Sequence, residues 1–371
     1  MGELRLKVAI CQHLTASYWG GGEKEMYDLA MGLSRLGHQV EVYAIPYTLE
    51  NRRKLDRHLI YNEDIPYHEA VIHPVDADVC YFMYHPFAWL NFPTIAPKIA
   101  SFHSQIWFGG ARKRYGLLPR VAARLNDRLL RRELGRYNAV HVHHPSIVRE
   151  IEKRAPDHPR IHMIEHFVDT DVFRPNGGKT NDKFNVLFVG RPVFQKGFDL
   201  FVRLAHELGD EKSQFSFVGG ESPDERIMSY GLVKDAKSLA KIMGEAHVVV
   251  SPQRVDTAVI GRSVLEALSC GTPVVVIAKP IDPPLGDCES LFTTDSYGSL
   301  RSTVREFYRN WRAGGYDEAG LSYEARRCIV ENYSLESTLR RYESMFEDVA
   351  EGSPSREGQP LGPFRLSRGS G

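Results

Sequence analysis

The chain has 371 residues, of which 42% are hydrophobic and 25% charged, a balance typical of a globular protein with room for two ordinary domains. Its formal net charge is zero, which removes any global electrostatic attraction to nucleic acid. No apolar run approaches the length of a membrane span, and the five cysteines lack paired spacing. We therefore expect a cytoplasmic protein with reduced thiols and no secretory signal, because the apolar run at residues 4–10 is broken by Arg5 and Lys7.

The first half of the chain alternates short apolar runs with amphipathic segments. The segment at residues 23–36 places Met26, Leu29 and Leu33 on one helical face, and Gly37 suits its end. Alternation of this kind predicts a parallel, doubly wound α/β sheet. Strands are predicted at residues 6–10, 40–44, 79–83, 99–102 and 139–142, with a further helix over residues 129–136.

The second half repeats the alternation after a polar, glycine-containing segment at residues 176–182, which is typical of an interdomain linker. Ser334 is a good N-cap for a last helix that starts at residue 335 and ends near residue 349. Residues 352–371 are rich in Gly, Ser, Pro and Arg and predict a disordered tail. Between the linker and the last helix, strands are predicted at residues 185–189, 215–218, 248–250 and 273–277, and helices at 199–208, 236–243 and 263–268.

The apolar run that ends at Gly190 is followed by a tight loop with two cations, Arg191 and Lys196. The run predicts a buried parallel strand, and open α/β sheets bind ligands at the carboxyl ends of such strands. A forked guanidinium and a point-charge ammonium together suit a diphosphate. Two solvated charges on a strand-to-helix loop would give the same local pattern.

A second strand, loop and helix unit occupies residues 248–276. Gly261 and Ser263 stand at the predicted start of its helix, where free backbone N–H groups and a partial positive charge attract an anion. Glu266 lies about one turn further along, where a carboxylate can accept hydrogen bonds from ribose hydroxyls. The two units together predict a nucleotide-diphosphate site built from neighbouring strand ends.

Three glycines, Gly20, Gly21 and Gly22, follow the first strand and precede a helix. Glycine lets backbone N–H groups approach a ligand closely, so this loop is predicted to lie near a bound phosphate; a flexible surface loop is the alternative. The loop is not the dinucleotide fingerprint, because Glu25 stands where that motif has its last glycine.

With these segments in place, the chain resembles the family-four glycosyltransferases of the GT-B fold. The resemblance implies two doubly wound, Rossmann-like α/β domains that face each other across a cleft. Residues 1–175 would form the acceptor-binding domain, 176–183 the linker and 184–334 the nucleotide-sugar-binding domain, with helix 335–351 crossing back onto the first domain. The matching segments are GGGE at 20–23, SFH at 101–103, VDTDVFRP at 168–175, GR at 190–191, KG at 196–197, EA at 266–267 and CGTP at 270–273.

The resemblance also implies roles for individual residues. His103 corresponds to the family histidine that reaches the donor sugar and diphosphate, and is grouped with Arg191 and Lys196 as catalytic. Backbone groups near residues 228–233 would hold the base. The implied donor site comprises Gly21, Gly22, Gly190, Arg191, Lys196, Tyr230, Gly231, Leu232, Asp256, Ile260, Gly261, Arg262, Ser263 and Glu266, and the implied acceptor side comprises Gly20, Glu23 and His103.

The chain departs from the family pattern at one position. The family has two glutamates eight residues apart in its last motif; Glu266 matches the second, and Ala258 stands in place of the first. A re-routed loop would let Asp256 supply the missing carboxylate. Because the first glutamate contacts donor-sugar hydroxyls in the family, the change bears on the identity of the sugar, and a donor with a missing or modified hydroxyl would suit it.

Two further motifs could suggest metal binding, and we expect no metal at either. In the tract at residues 141–144, alternation places His141 and His143 on one face, but no carboxylate or cysteine is nearby in the sequence, which favours structural histidines. Two D-x-D sequences, at residues 76–78 and 169–171, lie before a strand and in a family-matching loop. The resemblance implies metal-independent chemistry, in which cations and a helix dipole carry the leaving-group charge.

The stretch from Arg112 to Arg136 carries nine Lys or Arg residues against only two acidic residues. Its second part is helical in pattern, with Leu125, Leu129 and Leu130 as an apolar stripe. This pattern suits peripheral attachment to an anionic membrane surface, and equally a solvated helix packed on the core.

The sequence therefore predicts a cytoplasmic glycosyltransferase of glycan biosynthesis that moves a sugar from a nucleotide diphosphate sugar to an acceptor hydroxyl. The resemblance implies retention of configuration, and a lipid-linked or cell-envelope acceptor is compatible with the basic stretch. A sugar-nucleotide epimerase or hydrolase on the same fold is one alternative, although it would need more acid–base residues. The other alternative is a non-catalytic nucleotide-sugar-binding partner that has lost activity, in which Ala258 is a remnant of that loss.

Overall fold

The computed structural model describes residues 5–12, 21–45, 65–103, 117–176, 178–179, 182–222, 224–254 and 260–352. Several predictions fall outside these ranges: those at Gly20, Asp256 and Ala258, at residues 112–116 of the basic stretch, and in the tail from residue 353. The described part contains two parallel sheets with helices packed around them, which confirms the prediction of two Rossmann-like α/β domains.

The first sheet has seven parallel strands in the order β3-β2-β1-β4-β5-β6-β7. Its central strands are buried on both faces and are therefore almost continuously apolar. All strands point the same way, so the residues that follow them meet at one edge of the sheet. The strands are β1 (Lys7–Gln12), β2 (Gln39–Ala44), β3 (Tyr67–Glu69), β4 (Val79–Met83), β5 (Lys98–Phe102), β6 (Ala139–Val142) and β7 (Arg160–Met163).

The second sheet has six parallel strands in the order β10-β9-β8-β11-β12-β13. The strand order reverses direction between β8 and β11, which places a crevice at their carboxyl ends. The strands are β8 (Phe184–Val189), β9 (Ser213–Val218), β10 (Ile227–Ser229), β11 (Val248–Ser251), β12 (Val274–Ile277) and β13 (Leu291–Thr294).

Ten helices in the described ranges cover the two sheets. Among them, none combines the length and hydropathy needed to cross a membrane. The helices are α1 (Gly21–Arg35), α2 (Ala88–Asn91), α3 (Leu117–Leu134), α4 (Pro145–Arg154), α5 (Phe198–Leu208), α6 (Ala236–Glu245), α7 (Arg262–Ser269), α8 (Tyr297–Arg312), α9 (Glu318–Tyr333) and α10 (Leu335–Glu351).

Helix α10 returns from the second sheet and packs on α1 beside the first. Its apolar face, including Tyr342 and Phe346, lies in the same buried cluster as Met26 of α1. The approach is close, since a Cβ on Gly32 would lie 2.5 Å from Leu339 Cδ1. The last helix of the chain therefore belongs to the apolar core of the first domain.

The structure confirms most predicted strands and helices to within a few residues at their ends; the helix predicted at residues 129–136 is instead the longer α3, Leu117–Leu134. It also adds elements that the sequence patterns missed. Strand β7 was missed because its exposed residues RIHM lack an apolar run. Helix α9 was missed because its apolar residues are not confined to one face. The other elements without a prediction are β3, β10, β13, α2, α4 and α8.

Candidate active site

The loop after β8 is held against the end of β11 by a glycine that no other residue could replace without strain. Gly197 has φ +72°, and a Cβ there would lie 1.8 Å from the carbonyl oxygen of Pro252. Nearby, a Cβ on Gly219 would lie 2.1 Å from the Gly190 carbonyl oxygen. The backbones that end β8, β9 and β11 thus approach more closely than side chains would allow.

Lys196 ends the 3₁₀ turn in this loop, and its ammonium reaches the start of α7. Its Nζ lies 3.7 Å from the point that a Cβ on Gly261 would occupy. Gly261 is the N-cap of α7 and supplies no side-chain cap, so the first backbone N–H groups of the helix are left for a ligand. Burial lowers the pKa of Lys196, and the charge of Arg191 lowers it further. A bound diphosphate would oppose both effects.

Arg254, which sequence reasoning did not single out, fixes the same turn. Its guanidinium pairs with the Asp199 carboxylate, donates to the Phe194 carbonyl over 3.1 Å, and lies 4.0 Å from the centre of the Phe194 ring. Its backbone N–H also donates to the Gln195 carbonyl. Arg254 follows β11, so it ties the Lys196 loop to the neighbouring strand end.

Tyr230, Gly231 and Leu232 lie after β10, next to the ends of β8 and β9. The Gly219 N–H donates to the Gly231 carbonyl over 2.9 Å, and Gly231 itself has φ +68°. The predicted base-holding segment is therefore linked through Gly219 to Gly190, at the start of the loop that carries Arg191 and Lys196.

Glu266 lies on α7 and faces the first domain. It is only 4% exposed, and its Oε1 lies 3.6 Å from Lys24 Nζ and 3.7 Å from Arg262 Nη2. Arg262 in turn donates to Asp28 Oδ2 over 2.5 Å, and Lys24 pairs with Asp28 at 3.1 Å. Burial alone would raise the pKa of Asp28, but the charges of Arg262 and Lys24 outweigh burial and lower it.

We call Lys24, Asp28, Arg262 and Glu266 the interdomain ion cluster. It joins α1 to α7 with two positive and two negative side chains. Of these residues, Lys24 and Asp28 were missed by the sequence analysis, because no local pattern distinguishes them from the solvated charges of an amphipathic helix.

The structure places Gly21 and Gly22 differently from the sequence prediction. Helix α1 starts at Gly21, so Gly21 and Gly22 form its first turn, whereas the sequence analysis placed them in a loop before residue 23. Helix starts tolerate glycine, and this start leaves backbone N–H groups free of intrahelical partners. A Cβ on Gly22 would lie 3.3 Å from Met83 Cε, and a Cβ on Gly21 would meet nothing within 4 Å.

Glu23, in the same first turn, is 6% exposed. Burial raises its pKa to about 7, although its backbone hydrogen bond and the charge of Arg191 act in the opposite direction. The electrostatic interaction between Glu23 of the first domain and Arg191 of the second places a titratable carboxyl group at the cleft.

His103 follows β5 and belongs to a group of histidines around a buried carboxylate. Its Nδ1 lies 3.2 Å from His143 Nε2 and 3.7 Å from Glu25 Oε2. His143 Nε2 lies 3.5 Å from Glu25 Oε1, and His166 Nδ1 lies 2.7 Å from Glu25 Oε2. The expectation that no carboxylate accompanies the histidine tract was therefore wrong: the fold brings Glu25 of α1 to His143, far away in the sequence.

The other histidines of that tract have structural roles. His141 is fully buried and bonded to Tyr81, Ser101 and the Ile164 carbonyl, and burial lowers its pKa to about 3. His144 caps the start of α4 by accepting from the Ser146 N–H.

One aspartate of each D-x-D sequence accepts hydrogen bonds from backbone N–H groups. Asp78 accepts from the Lys7 N–H, while Asp76 is exposed. Asp169 accepts from the N–H groups of Asp171 and Val172 in a turn.

Two family models match the chain. The model described as "Glycosyltransferase Family 4" matches residues 19–172, and the one described as "Glycosyl transferases group 1" matches residues 183–310. The two matches follow the two sheets.

Two curated relatives match over part of their length. The D-inositol 3-phosphate glycosyltransferase 1 of Catenulispora acidiphila is 32% identical over 49% of this chain. One subunit of the human phosphatidylinositol N-acetylglucosaminyltransferase is 22% identical over 69% of this chain. The chain spans about half the length of these relatives, 46% of the first and 58% of the second.

A solved structure with the same fold covers nearly the whole chain. HepE from Anabaena, in complex with UDP and glucose, superposes with a TM-score of 0.69 at 12% identity, covering 93% of this chain and all of that one. Together with the two family models and the paired parallel sheets, this shows that the chain belongs to the family-four-like glycosyltransferases of the GT-B fold.

Proposed function

We propose that this chain transfers a sugar from a nucleotide diphosphate sugar to an acceptor hydroxyl. The observation that carries this proposal is the meeting of the Lys196 ammonium with the uncapped start of α7, beside the loop of Arg191. A departing nucleoside diphosphate gains negative charge, and preorganised cations and N–H dipoles stabilise that charge more than they stabilise the intact donor. On this account the leaving group needs no metal ion.

The remaining residues of the cleft take supporting roles in this proposal. His103 positions the donor sugar, and Glu23, near Arg191, lies on the acceptor side. Glu266 binds ribose hydroxyls, for which its carboxylate must turn away from Lys24 and Arg262. Closure of the two domains would then exclude water from the reacting groups and limit hydrolysis of the donor.

The comparisons suggest where to look for the substrates. The HepE structure contains UDP and glucose, which makes UDP-hexoses the first donors to test. The curated relatives are named for D-inositol 3-phosphate and phosphatidylinositol, which favours a phosphorylated polyol, soluble or lipid-linked, as the acceptor. The family resemblance favours retention of configuration, with the donor phosphate assisting the acceptor proton.

Helix α3 supports peripheral contact with an anionic membrane from a cytoplasmic location. Val121 and Leu125, one turn apart, are 54% and 47% exposed, and the surrounding arginines Arg124, Arg128 and Arg132 are exposed as well. Leu130 and Leu134 are buried against the first domain. The helix thus packs on the core by one face and offers a basic, partly apolar face outward.

A donor screen tests the transferase proposal. Purified protein is incubated with UDP-, GDP-, ADP- and dTDP-sugars while release of the free nucleoside diphosphate is followed, and calorimetry measures the affinity for each nucleotide. We expect slow release from one donor, accelerated by an inositol phosphate, and a loss of about 100-fold or more in Lys196→Ala. Lys241→Ala, which removes a 70% exposed lysine of the same domain, is the matched control.

The outcomes separate the possible functions. Binding of a nucleotide without release, with or without acceptors, would favour a non-catalytic partner. Conversion of the donor to an epimer without release would favour an epimerase. An absence of binding to every nucleotide would refute the donor site at Lys196 and Arg191.

Vesicle co-sedimentation tests the membrane contact. Vesicles rich in anionic phospholipid should pellet the protein, and the double variant Val121→Asp, Leu125→Asp should stay in the supernatant. Ile95→Asp, which charges an apolar residue that is 60% exposed elsewhere on the first domain, should pellet like the native chain. Equal pelleting of both variants would overturn the assignment to α3.

A further inference from the structure

We propose that Glu25, His103 and His143 bind a divalent transition-metal ion of the Zn²⁺ type in the first domain. Among the residues that the structure describes, these three form a group whose ligand atoms all lie within 4.8 Å of one another. The site shares His103 with the donor-sugar position of the proposed function, and the leaving-group chemistry proposed at Lys196 does not require the ion.

The distances between the ligand atoms suit one ion. His143 Nε2 lies 3.2 Å from His103 Nδ1 and 3.5 Å from Glu25 Oε1, and the other oxygen of the same carboxylate, Oε2, lies 3.7 Å from His103 Nδ1. Zinc bonds of about 2.1 Å in a tetrahedral arrangement separate neighbouring ligand atoms by about 3.4 Å. Two imidazoles and one carboxylate form a common zinc ligand set that leaves a fourth position open.

Hydrogen bonds orient both imidazoles for this purpose. His143 Nδ1 lies 3.0 Å from the Ile164 carbonyl oxygen, which can only accept, so Nδ1 carries the proton and Nε2 offers a lone pair. His103 Nε2 lies 3.0 Å from Ser101 Oγ, and this hydroxyl oxygen can accept a hydrogen bond from Nε2–H. In that tautomer Nδ1 carries no proton and offers a lone pair. Two bare ring nitrogens 3.2 Å apart repel each other unless a cation lies between them.

The carboxylate lacks a full set of partners without an ion. Glu25 is completely buried, and its Oε1 accepts no hydrogen bond. Its ion pairs with described residues involve histidines alone, His103, His143 and His166. A buried carboxylate without a fixed counter-charge is costly, and a metal ion would supply that charge.

His166 and a small cavity lie next to the proposed metal site. His166 Nδ1 lies 2.7 Å from Glu25 Oε2 and its ring stacks on His143 at 4.0 Å, so His166 can hold the carboxylate in place from outside the ligand set. A cavity of about 70 Å³ between the two domains is bordered by His143 and His166 and lies on their side of the site.

Metal titration tests the proposal. The full chain is stripped with a chelator and titrated with Zn²⁺ by calorimetry, and with Co²⁺ by visible absorption. We expect one ion per chain, tetrahedral Co²⁺ bands, and a loss in affinity of about 100-fold or more in Glu25→Gln and in His143→Asn; removal of a partner outside the ligand set, His166→Asn, should cost about 10- to 100-fold.

The matched control is His206→Asn, which removes an exposed histidine that pairs with Asp224 in the second domain. It should bind Zn²⁺ like the native chain. Circular dichroism shows whether each variant folds, and the Co²⁺ spectrum of the native chain decides the question if the ligand variants do not. No stoichiometric binding, only octahedral Co²⁺ bands, or equal affinity in folded ligand and control variants would overturn the proposal. Because the readouts are binding and spectra, they stand whether or not the chain proves to be a transferase.

Discussion

Replacement of Glu23 by glutamine should change how the stability of the protein depends on pH. Glu23 lies in the first turn of α1 and is 6% exposed. Burial raises its pKa from 4.5 to about 7, against the opposing effects of its backbone hydrogen bond and of Arg191. Glutamine keeps the shape of the side chain and cannot ionise, so the variant isolates the cost of the buried charge.

The sign of the effect follows from proton linkage. Between pH 4.5 and 7 the folded protein holds a proton on Glu23 that the unfolded chain has released, so native stability falls as the pH rises through this window. A shift of this size corresponds to about 3 kcal/mol, most of which develops between pH 5 and pH 8. Relative to the native chain, Glu23→Gln should therefore gain about that much stability between the two pH values.

Urea unfolding followed by circular dichroism, at pH 5 and at pH 8, measures this difference. Comparison of the two chains cancels the titration of all other groups. Glu211→Gln, which removes an exposed carboxylate, controls for the loss of charge itself. If the stability difference between the native chain and Glu23→Gln is the same at both pH values, Glu23 is not a buried, elevated-pKa carboxyl group and the reasoning fails.

Three substitutions test how the cleft is held together. Gly197→Ala should lower the free energy of unfolding by about 2 kcal/mol or more, since its Cβ would lie 1.8 Å from the Pro252 carbonyl at φ +72°; thermal unfolding measures this. Arg262→Met should cost about 3 kcal/mol by removing one of the two cations that pair with the buried Asp28, and adding Asp28→Leu should recover part of it in a double-mutant cycle. Arg254→Ala should weaken nucleoside diphosphate binding about fivefold in calorimetry, with little change in stability.

Each of these three predictions would be contradicted by one result. An unchanged melting temperature in Gly197→Ala would mean that the loop after β8 does not lie against β11. Additive effects of the two changes in the interdomain ion cluster would mean that they do not interact. Unaltered nucleotide affinity in Arg254→Ala would mean that the Lys196 turn needs no support from that side chain.

Local patterns were sufficient for most of the architecture. The run at residues 79–83 is almost continuously apolar because β4 is buried on both faces, and the prediction matches its observed bounds. Strand β7 has no such run: it lies at the edge of its sheet and is partly exposed, and the polar Arg160 and His162 alternate with Ile161 and Met163. A hydrophobic pattern in the sequence reflects burial, so it does not predict a strand or helix that is only partly buried.

The candidate site likewise contains residues that local sequence patterns predicted and others that they did not. Arg191, Lys196, Gly261 and Glu266 were predicted because a strand end, a tight loop and a helix start are local features with a chemical meaning. The strand order then brings the segments that follow β8 and β11 next to each other. Glu25 was read as the residue that breaks a dinucleotide motif, yet it lies completely buried among histidines. Nothing within several residues of Glu25 in the sequence distinguishes it from a solvated charge.

By itself, therefore, the sequence determined the alternation of strands and helices, the family, and the loops that would meet a nucleotide diphosphate, because short-range spacing encodes each of these. Only the tertiary structure decided which charges are buried and which partners they have: the interdomain ion cluster, the elevated pKa of Glu23, and the carboxylate that faces His103 and His143. Burial and electrostatic coupling depend on residues far apart in the chain, and those meet only when both sheets and α1 are packed together.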